Sequence, residues 1–288
     1  MRSLLIYPWL RLIILRYSFC RVADDLVDDA QSQEEARAWC KKLSQFLDLA
    51  YSTKEVPATK DTNLELYISN NFPKSMQSGL RLLPTHLLSP QPLYDLLEGF
   101  KTDLEFSDTP KRFPITGEKE LEVYGARVAG TVAESCLELV FHHSYSPCTA
   151  AKRDELIKAG GRMGIALQYV NIARDIARDA AISRVYLPTS WLKEKDLTPE
   201  DIVKRPSGPK IEILRTDLLE KAFGIYQEAH FALARLPRDA RAPMRVAIES
   251  YMEIGRVLQE KGYTVKEGKA TVPKLRRIRV AWNALRQG

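Results

Sequence analysis

Apolar residues along this chain recur at three- and four-residue steps through long stretches, and the strict alternation of a half-buried strand is almost absent. Such steps return side chains to one face of a helix, so the pattern predicts an all-α protein. Breakers and turn formers punctuate it at Ser52 to Asn63, Ser89 to Pro92, Ser107 to Gly117, Ser144 to Thr149 and Pro206 to Pro209. Between them the spacing predicts helices near 11–29, 32–50, 62–84, 92–104, 118–143, 151–180, 211–235, 239–262 and 273–286. Segments 118–143 and 151–180 are long and rich in small residues. Gly125, Ala126, Ala129 and Gly130 fall in one, Gly160, Gly161, Gly164 and Ala166 in the other, which suits tight helix packing or leaves room for a ligand. No repeat of solenoid length and no flexible linker divides the chain, so residues 1–288 are expected to form a single domain.

Composition narrows the class. With 288 residues, 45% apolar and 28% charged, the chain can bury a full core and reads as a soluble globular protein. Leu4 to Leu15 is apolar but short and interrupted by Arg11. A spanning helix needs ~20 apolar residues, so this segment is expected to lie on a membrane surface if it meets one. The net charge of +6 suits an anionic lipid surface or a phosphorylated substrate. The basic residues read as spread along the chain, which argues against nucleic acid. Cys20, Cys40, Cys136 and Cys148 match no metal or redox spacing and are expected to be reduced, mostly buried thiols of an intracellular protein. His142 and His143 are adjacent and point in different directions on a helix, so they do not share a metal.

Two stretches carry chemistry. Phe19-Cys20-Arg21-Val22-Ala23-Asp24-Asp25-Leu26-Val27-Asp28 places Asp24 and Asp28 four apart, and Gln168 to Asp179 places Asn171, Asp175 and Asp179 at the same step. Four residues return to one helix face a turn further on, so each stretch projects a ladder of oxygen donors. Hard oxygen donors suit Mg²⁺, which keeps waters and takes substrate phosphates as further ligands. Two facing ladders would hold Mg²⁺ against a diphosphate and neutralise it as a leaving group. A lone D-x-x-x-D is usually a solvated face. Here the ladders are embedded among Phe19, Val22, Ala23, Leu26 and Val27 and follow the apolar run Met163 to Val170, where unpartnered charge is expensive.

With these residues in view, the chain resembles the squalene/phytoene synthase family over nearly all of its domain. Tyr17 to Asp28 resembles the family's first Asp-rich motif. Leu167 to Asp179, followed by Ser183-Arg184-Val185-Tyr186-Leu187-Pro188, resembles the second. Glu98-Gly99-Phe100-Lys101-Thr102-Asp103-Leu104 and Tyr124 to Val132 match two further blocks in order. The resemblance implies an isoprenoid-synthase helical bundle around a central cavity with two facing Asp-rich helices. It implies that Asp24, Asp28, Asn171, Asp175 and Asp179 bind Mg²⁺, with Mn²⁺ as a substitute, and that Tyr17, Arg21, Gln168, Asn171, Arg174, Arg184 and Tyr186 bind substrate. Arg21, Asp24, Asp28, Asp175 and Tyr251 would be catalytic. Arg184 and Tyr186 would close the polar mouth. Guanidinium groups near such a cluster make sense as phosphate forks, although the plain alternative for Arg174 and Arg178 is an ion pair to the neighbouring carboxylates. The chain departs from the family ahead of Tyr17, where the usual N-terminal helix is not matched, at Ala126, where an aromatic residue is common, and at Lys269, where an arginine is common.

The family joins two prenyl diphosphates head to head through a cyclopropyl diphosphate. The Arg184-Val185-Tyr186-Leu187-Pro188 stretch reads as phytoene-type, so two geranylgeranyl diphosphates are the expected substrates and NADPH is not expected. Tyr124 to Val132 and Pro273-Lys274-Leu275 look most like fungal forms, which implies fusion to or association with other carotenoid enzymes. A cytoplasmic protein with peripheral membrane contact and no nucleic-acid partner is expected. A squalene-type or diverged terpene-forming synthase acting on farnesyl or a single prenyl diphosphate stays open. So do a membrane-surface binding module and a non-catalytic assembly factor, though the last would be expected to lose ladder carboxylates that are all present here.

Overall fold

The structure, a computed structural model, describes residues 19–52, 62–107, 112–144, 148–260, 263 and 271–286, and no strand occurs among them. The segment Leu4 to Leu15, Tyr17 and Lys269 lie outside these residues. Helix α1 covers 19–28. It is followed by α2 (Gln33–Ser52), α3 (Thr62–Asn71), α4 (Lys74–Arg81) and α5 (Gln91–Glu105). Then come α6 (Glu118–Gly125), α7 (Thr131–His143), α8 (Ala150–Ala181), α9 (Thr189–Glu194), α10 (Pro199–Lys204), α11 (Pro209–Leu233), α12 (Arg238–Leu258) and α13 (Lys274–Arg286).

The amphipathic pattern sorts these helices around two apolar clusters. One gathers α1 to α5 around Phe19, Leu43, Phe46, Leu47 and Leu93. The other gathers α6 to α12 around α8, whose Met163, Ala166, Tyr169, Val170, Ala173 and Ile176 are all buried. Helix α7 joins them, with Leu139 in the first cluster and Leu137 in the second. Helix α8 packs along α11, α7 and α12, which makes it the central post of the bundle.

Three local features differ from the sequence reading. The helix predicted over 62–84 is two helices, because Pro73 has no N–H to donate and disfavours helical geometry at Phe72. The short helices α9 and α10 lie where none was predicted. Helix α10 starts at a capping box, in which Thr198 and Asp201 satisfy each other's backbone N–H groups and Pro199 takes the first turn. The helix predicted over 118–143 is continuous, but Ala126–Gly130 forms a π turn between α6 and α7. None of the four cysteines is in a disulfide; Cys40 is buried, whereas Cys20, Cys136 and Cys148 are only half-buried.

The π turn lies hard against α8 at Gly164. A Cβ there would stand 2.5 Å from the Ala129 carbonyl oxygen and 2.8 Å from the Gly130 Cα, both backbone atoms that cannot swing aside. Gly164→Ala is therefore expected to cost about 2 kcal/mol, or roughly 4–8 °C in Tm for a chain of this size. Thermal melts by circular dichroism measure it, and an unchanged Tm would show that the two helices separate at no cost.

Candidate active site

One cavity of about 440 Å³ lies between the two apolar clusters and is lined from α1, α5, the α6–α7 rod, α8, the segment after it and α12. Helix α1 contributes Cys20, Arg21, Asp24 and Asp28, and α5 contributes Leu96, Phe100 and Asp103. The α6–π–α7 rod supplies Tyr124, Val128 and Val132, each four residues from the next, so they form a line along one side. Helix α8 supplies Gln168, Asn171, Ile172, Arg174, Asp175, Arg178 and Asp179. Arg184 and Tyr186 enter from the segment after α8, and Tyr251 from α12. Apart from Tyr17, outside the described residues, the structure brings every predicted site residue to this cavity.

The turn that delivers Arg184 follows from how α8 ends. Ser183 adopts a left-handed conformation (φ 64°), a position where glycine is usual. Its N–H donates to the Ala180 carbonyl at 2.9 Å and the Arg184 N–H to that of Asp179 at 2.9 Å, so the orphan carbonyls of the last turn are satisfied. The reversal carries the Arg184 guanidinium across to Asp28, where it donates to Oδ1 at 3.3 Å. Arg184 thus ties the second acidic stretch to the first.

Charge is unevenly compensated. Burial and the neighbouring Asp28 push the Asp24 carboxyl above its usual range, against the pull of Arg21 and Arg184. Arg21 is 2.7 Å from Asp25 and 3.6 Å from Asp24. On α8 burial and the nearby Asp175 push Asp179 up to about 7. Arg174 forks both oxygens of Asp175 at 2.8 and 2.6 Å, and Arg178 donates to the same carboxylate at 2.9 Å. The plain alternative therefore describes both arginines as they stand, although each also lines the cavity. Tyr251 donates its hydroxyl to the Asn171 Oδ1, and the Asn171 amide donates to Gln168 Oε1 at 3.2 Å.

The donor set fits a divalent cation. Two carboxylates on α1 and two on α8, with the Asn171 amide oxygen, are hard donors. Asp24 and Asp179 are raised first by burial and second by a neighbouring carboxylate, so a cation beside them would favour their charged forms. Among the described residues no three Asp, Glu, His or Cys side chains converge to hold a metal by themselves. A site completed by phosphate oxygens and water has that character.

Two residues that carry no role in the sequence reading are part of the wall. Asp103 is buried, and its Oδ1 accepts the Tyr124 hydroxyl at 2.8 Å and the Tyr186 hydroxyl at 2.7 Å. Burial pushes Asp103 up to about 6, with Arg184 and the two hydroxyls opposing the rise. The two tyrosine rings stack 5.0 Å apart, and both phenols are held well above their ordinary pKa by burial first and by Asp103 second. Tyr186, expected to close the polar mouth, lines the cavity with Arg184, and it is largely buried with its hydroxyl held in this triad by Asp103. The signal in the sequence is the spacing Leu96, Phe100, Asp103, which puts a lone carboxylate on the apolar face of α5.

Residues 3–280 match the family model described as squalene/phytoene synthase. The chain belongs to the squalene/phytoene synthase family. It is 53% identical over 278 residues to the bifunctional lycopene cyclase/phytoene synthase of Gibberella fujikuroi, an alignment covering 96% of this chain and 47% of that protein. The bifunctional lycopene cyclase/phytoene synthase of Neurospora crassa is 48% identical over 287 residues, covering 95% of this chain and 48% of that one. The chain thus spans about half the length of these curated relatives. Among solved structures, a dehydrosqualene synthase with bound ligand superposes with a TM-score of 0.72 at 20% identity, over 97% of this chain and 87% of that one. The squalene synthase HpnC of Alicyclobacillus acidocaldarius does so at 0.68 and 18%, over 90% and 86%. These structural likenesses establish the shared helical fold of the squalene/phytoene synthase family.

Proposed function

We propose that this chain is a phytoene synthase that condenses two geranylgeranyl diphosphates head to head, through a cyclopropyl diphosphate, to phytoene. The observation that carries the proposal is the double character of one cavity: acidic ladders and arginines share it with Leu96, Phe100, Val128, Val132 and Ile172. The names and ~50% identity of the relatives support the choice of product. Each diphosphate leaves with the electron pair of its C–O bond and two protons are lost in all, so the balance needs no reductant and NADPH has no role.

Asp24, Asp28, Asn171, Asp175 and Asp179 would hold Mg²⁺, or Mn²⁺ in its place, which when bound supplies Lewis-acid neutralisation of the departing diphosphate. Arg21, Arg174 and Arg184 offer forked donors to phosphate oxygens once released from their carboxylate partners. Gln168 and Asn171, fixed by Tyr251, orient the polar end of the substrate. Asp103, its pKa pushed up to about 6 by burial, is suited to take up a released proton through the Tyr124 or Tyr186 hydroxyl. The relatives' names support fusion to or association with a further carotenoid enzyme, and a single domain, cytoplasmic with peripheral membrane contact, completes the proposal.

Purified protein supplied with Mg²⁺ and geranylgeranyl diphosphate alone is expected to yield phytoene and two diphosphates per product, read by chromatography and phosphate release. Squalene from farnesyl diphosphate and NADPH, with no phytoene, would overturn the proposal, as would no turnover of any prenyl diphosphate.

A further inference from the structure

Helix α13 is docked through charge, and its apolar stripe faces away from the protein. On the inner side Arg276 donates to Glu253 of α12 at 2.5 Å and also meets Glu260. Glu253 is buried, and Arg256 holds its other oxygen at 2.9 Å while reaching Glu249 at 2.8 Å. This ladder, with buried Ala284, fixes the helix and leaves Leu275, Ile278, Trp282 and Leu285 outward, at 82%, 57%, 60% and 52% exposure. They stand at i, i+3, i+7 and i+10, one continuous stripe. Lys274, Arg277, Arg279 and Arg286 are exposed around it, and the helix contains no acidic residue.

We propose that this face of α13 is where the protein lies on an anionic membrane surface. It rests on the peripheral contact proposed above and gives that contact a place. A second copy of the chain would bring basic flank against basic flank, which repels. A lipid surface answers both parts at once, taking the four apolar side chains at the acyl boundary and the basic ones at the phosphates. No helix among the described residues is long and apolar enough to cross a membrane, so α13 lies on the surface. Helix α12 carries Tyr251 of the cavity wall and, two residues on, the Glu253 that anchors α13. The membrane helix is thereby tied to the cavity that releases an apolar product.

The test is co-sedimentation of the whole chain with phosphatidylcholine vesicles, with and without phosphatidylserine. Wild-type protein is expected to bind the anionic vesicles and to be released by salt. L275S/I278S/W282S and, separately, R277E/R279E are each expected to lower partition about tenfold or more. Both variants keep Arg276 and Ala284, so circular-dichroism melts and turnover of detergent-dispersed geranylgeranyl diphosphate should match wild type. The inference is overturned if wild type ignores anionic vesicles or if both variants bind as well as it does, which would place any contact elsewhere, such as Leu4 to Leu15. It is also overturned if the apolar variant abolishes a dimer without changing partition. None of these results touches the proposed activity, which fails only if the wild-type chain gives no phytoene.

Discussion

Asp175→Asn is expected to lower kcat on the order of a thousandfold and to raise the Mg²⁺ concentration needed for half-maximal rate. Asp175 is the middle rung of the α8 ladder and its side chain is only 13% exposed. Both of its oxygens are already engaged by Arg174, and one also by Arg178. An asparagine preserves volume and one acceptor but removes the charge that a cation and two guanidiniums compete for. The ion pairs alone would predict a different outcome. Arg178 is 73% exposed, so its pairing contributes little to stability, and a purely structural Asp175 would change Tm while leaving the metal requirement where it was. Steady-state rates across a Mg²⁺ titration, with melts on the same samples, separate the two. A kcat within a few-fold of wild type, at unchanged metal dependence, would remove Asp175 from the cation site.

How much of this was legible in the sequence depended on whether the information was local. The ladders were legible because four-residue spacing determines a helix face directly, and the surrounding Ala23, Leu26, Val27 and Ile172 leave those carboxylates few places to go. Asp103 was not, although it sits in a recognisable stretch. Its partners Tyr124 and Tyr186 lie 21 and 83 residues away and meet it only when α5, α6 and the segment after α8 pack together. The turn at Ser183 carried no glycine to announce a left-handed residue, so the route of Arg184 toward Asp28 was hidden as well. Pro73 was a visible breaker inside a pattern that otherwise kept its period, and there the backbone rule outweighs the period. Helix α13 shows a different limit. Periodicity located the helix at 273–286, but hydrophobic pattern alone would turn its apolar side inward, and the buried Glu253 that reverses the orientation belongs to another helix.

Asp103→Asn is expected to separate proton chemistry from architecture. Asp103 is buried and pushed up to about 6 from an ordinary value of 3.8, chiefly by that burial. A carboxyl whose folded pKa exceeds its unfolded one binds its proton more tightly in the native state. Its contribution to stability is therefore fully present below about pH 4 and is lost as pH rises through about 6. A rise of that size is equivalent to about 3 kcal/mol. Asparagine offers the same Oδ1 to the Tyr124 and Tyr186 hydroxyls and never ionises, so it should escape that loss. The stability difference, variant minus wild type, is expected to grow by ~3 kcal/mol between about pH 4 and pH 7 and then level off. Asp179, pushed up to about 7, adds a slope of the same sign to both proteins and largely cancels in the difference. Urea melts in metal-free buffer across that range measure it, and parallel curves would mean that Asp103 does not titrate there. Turnover should move the opposite way, falling on the order of a hundredfold because the variant cannot take up a proton. A variant that gained stability and kept wild-type turnover would leave Asp103 as a clamp on two tyrosines and assign the proton acceptor to another group in the cavity.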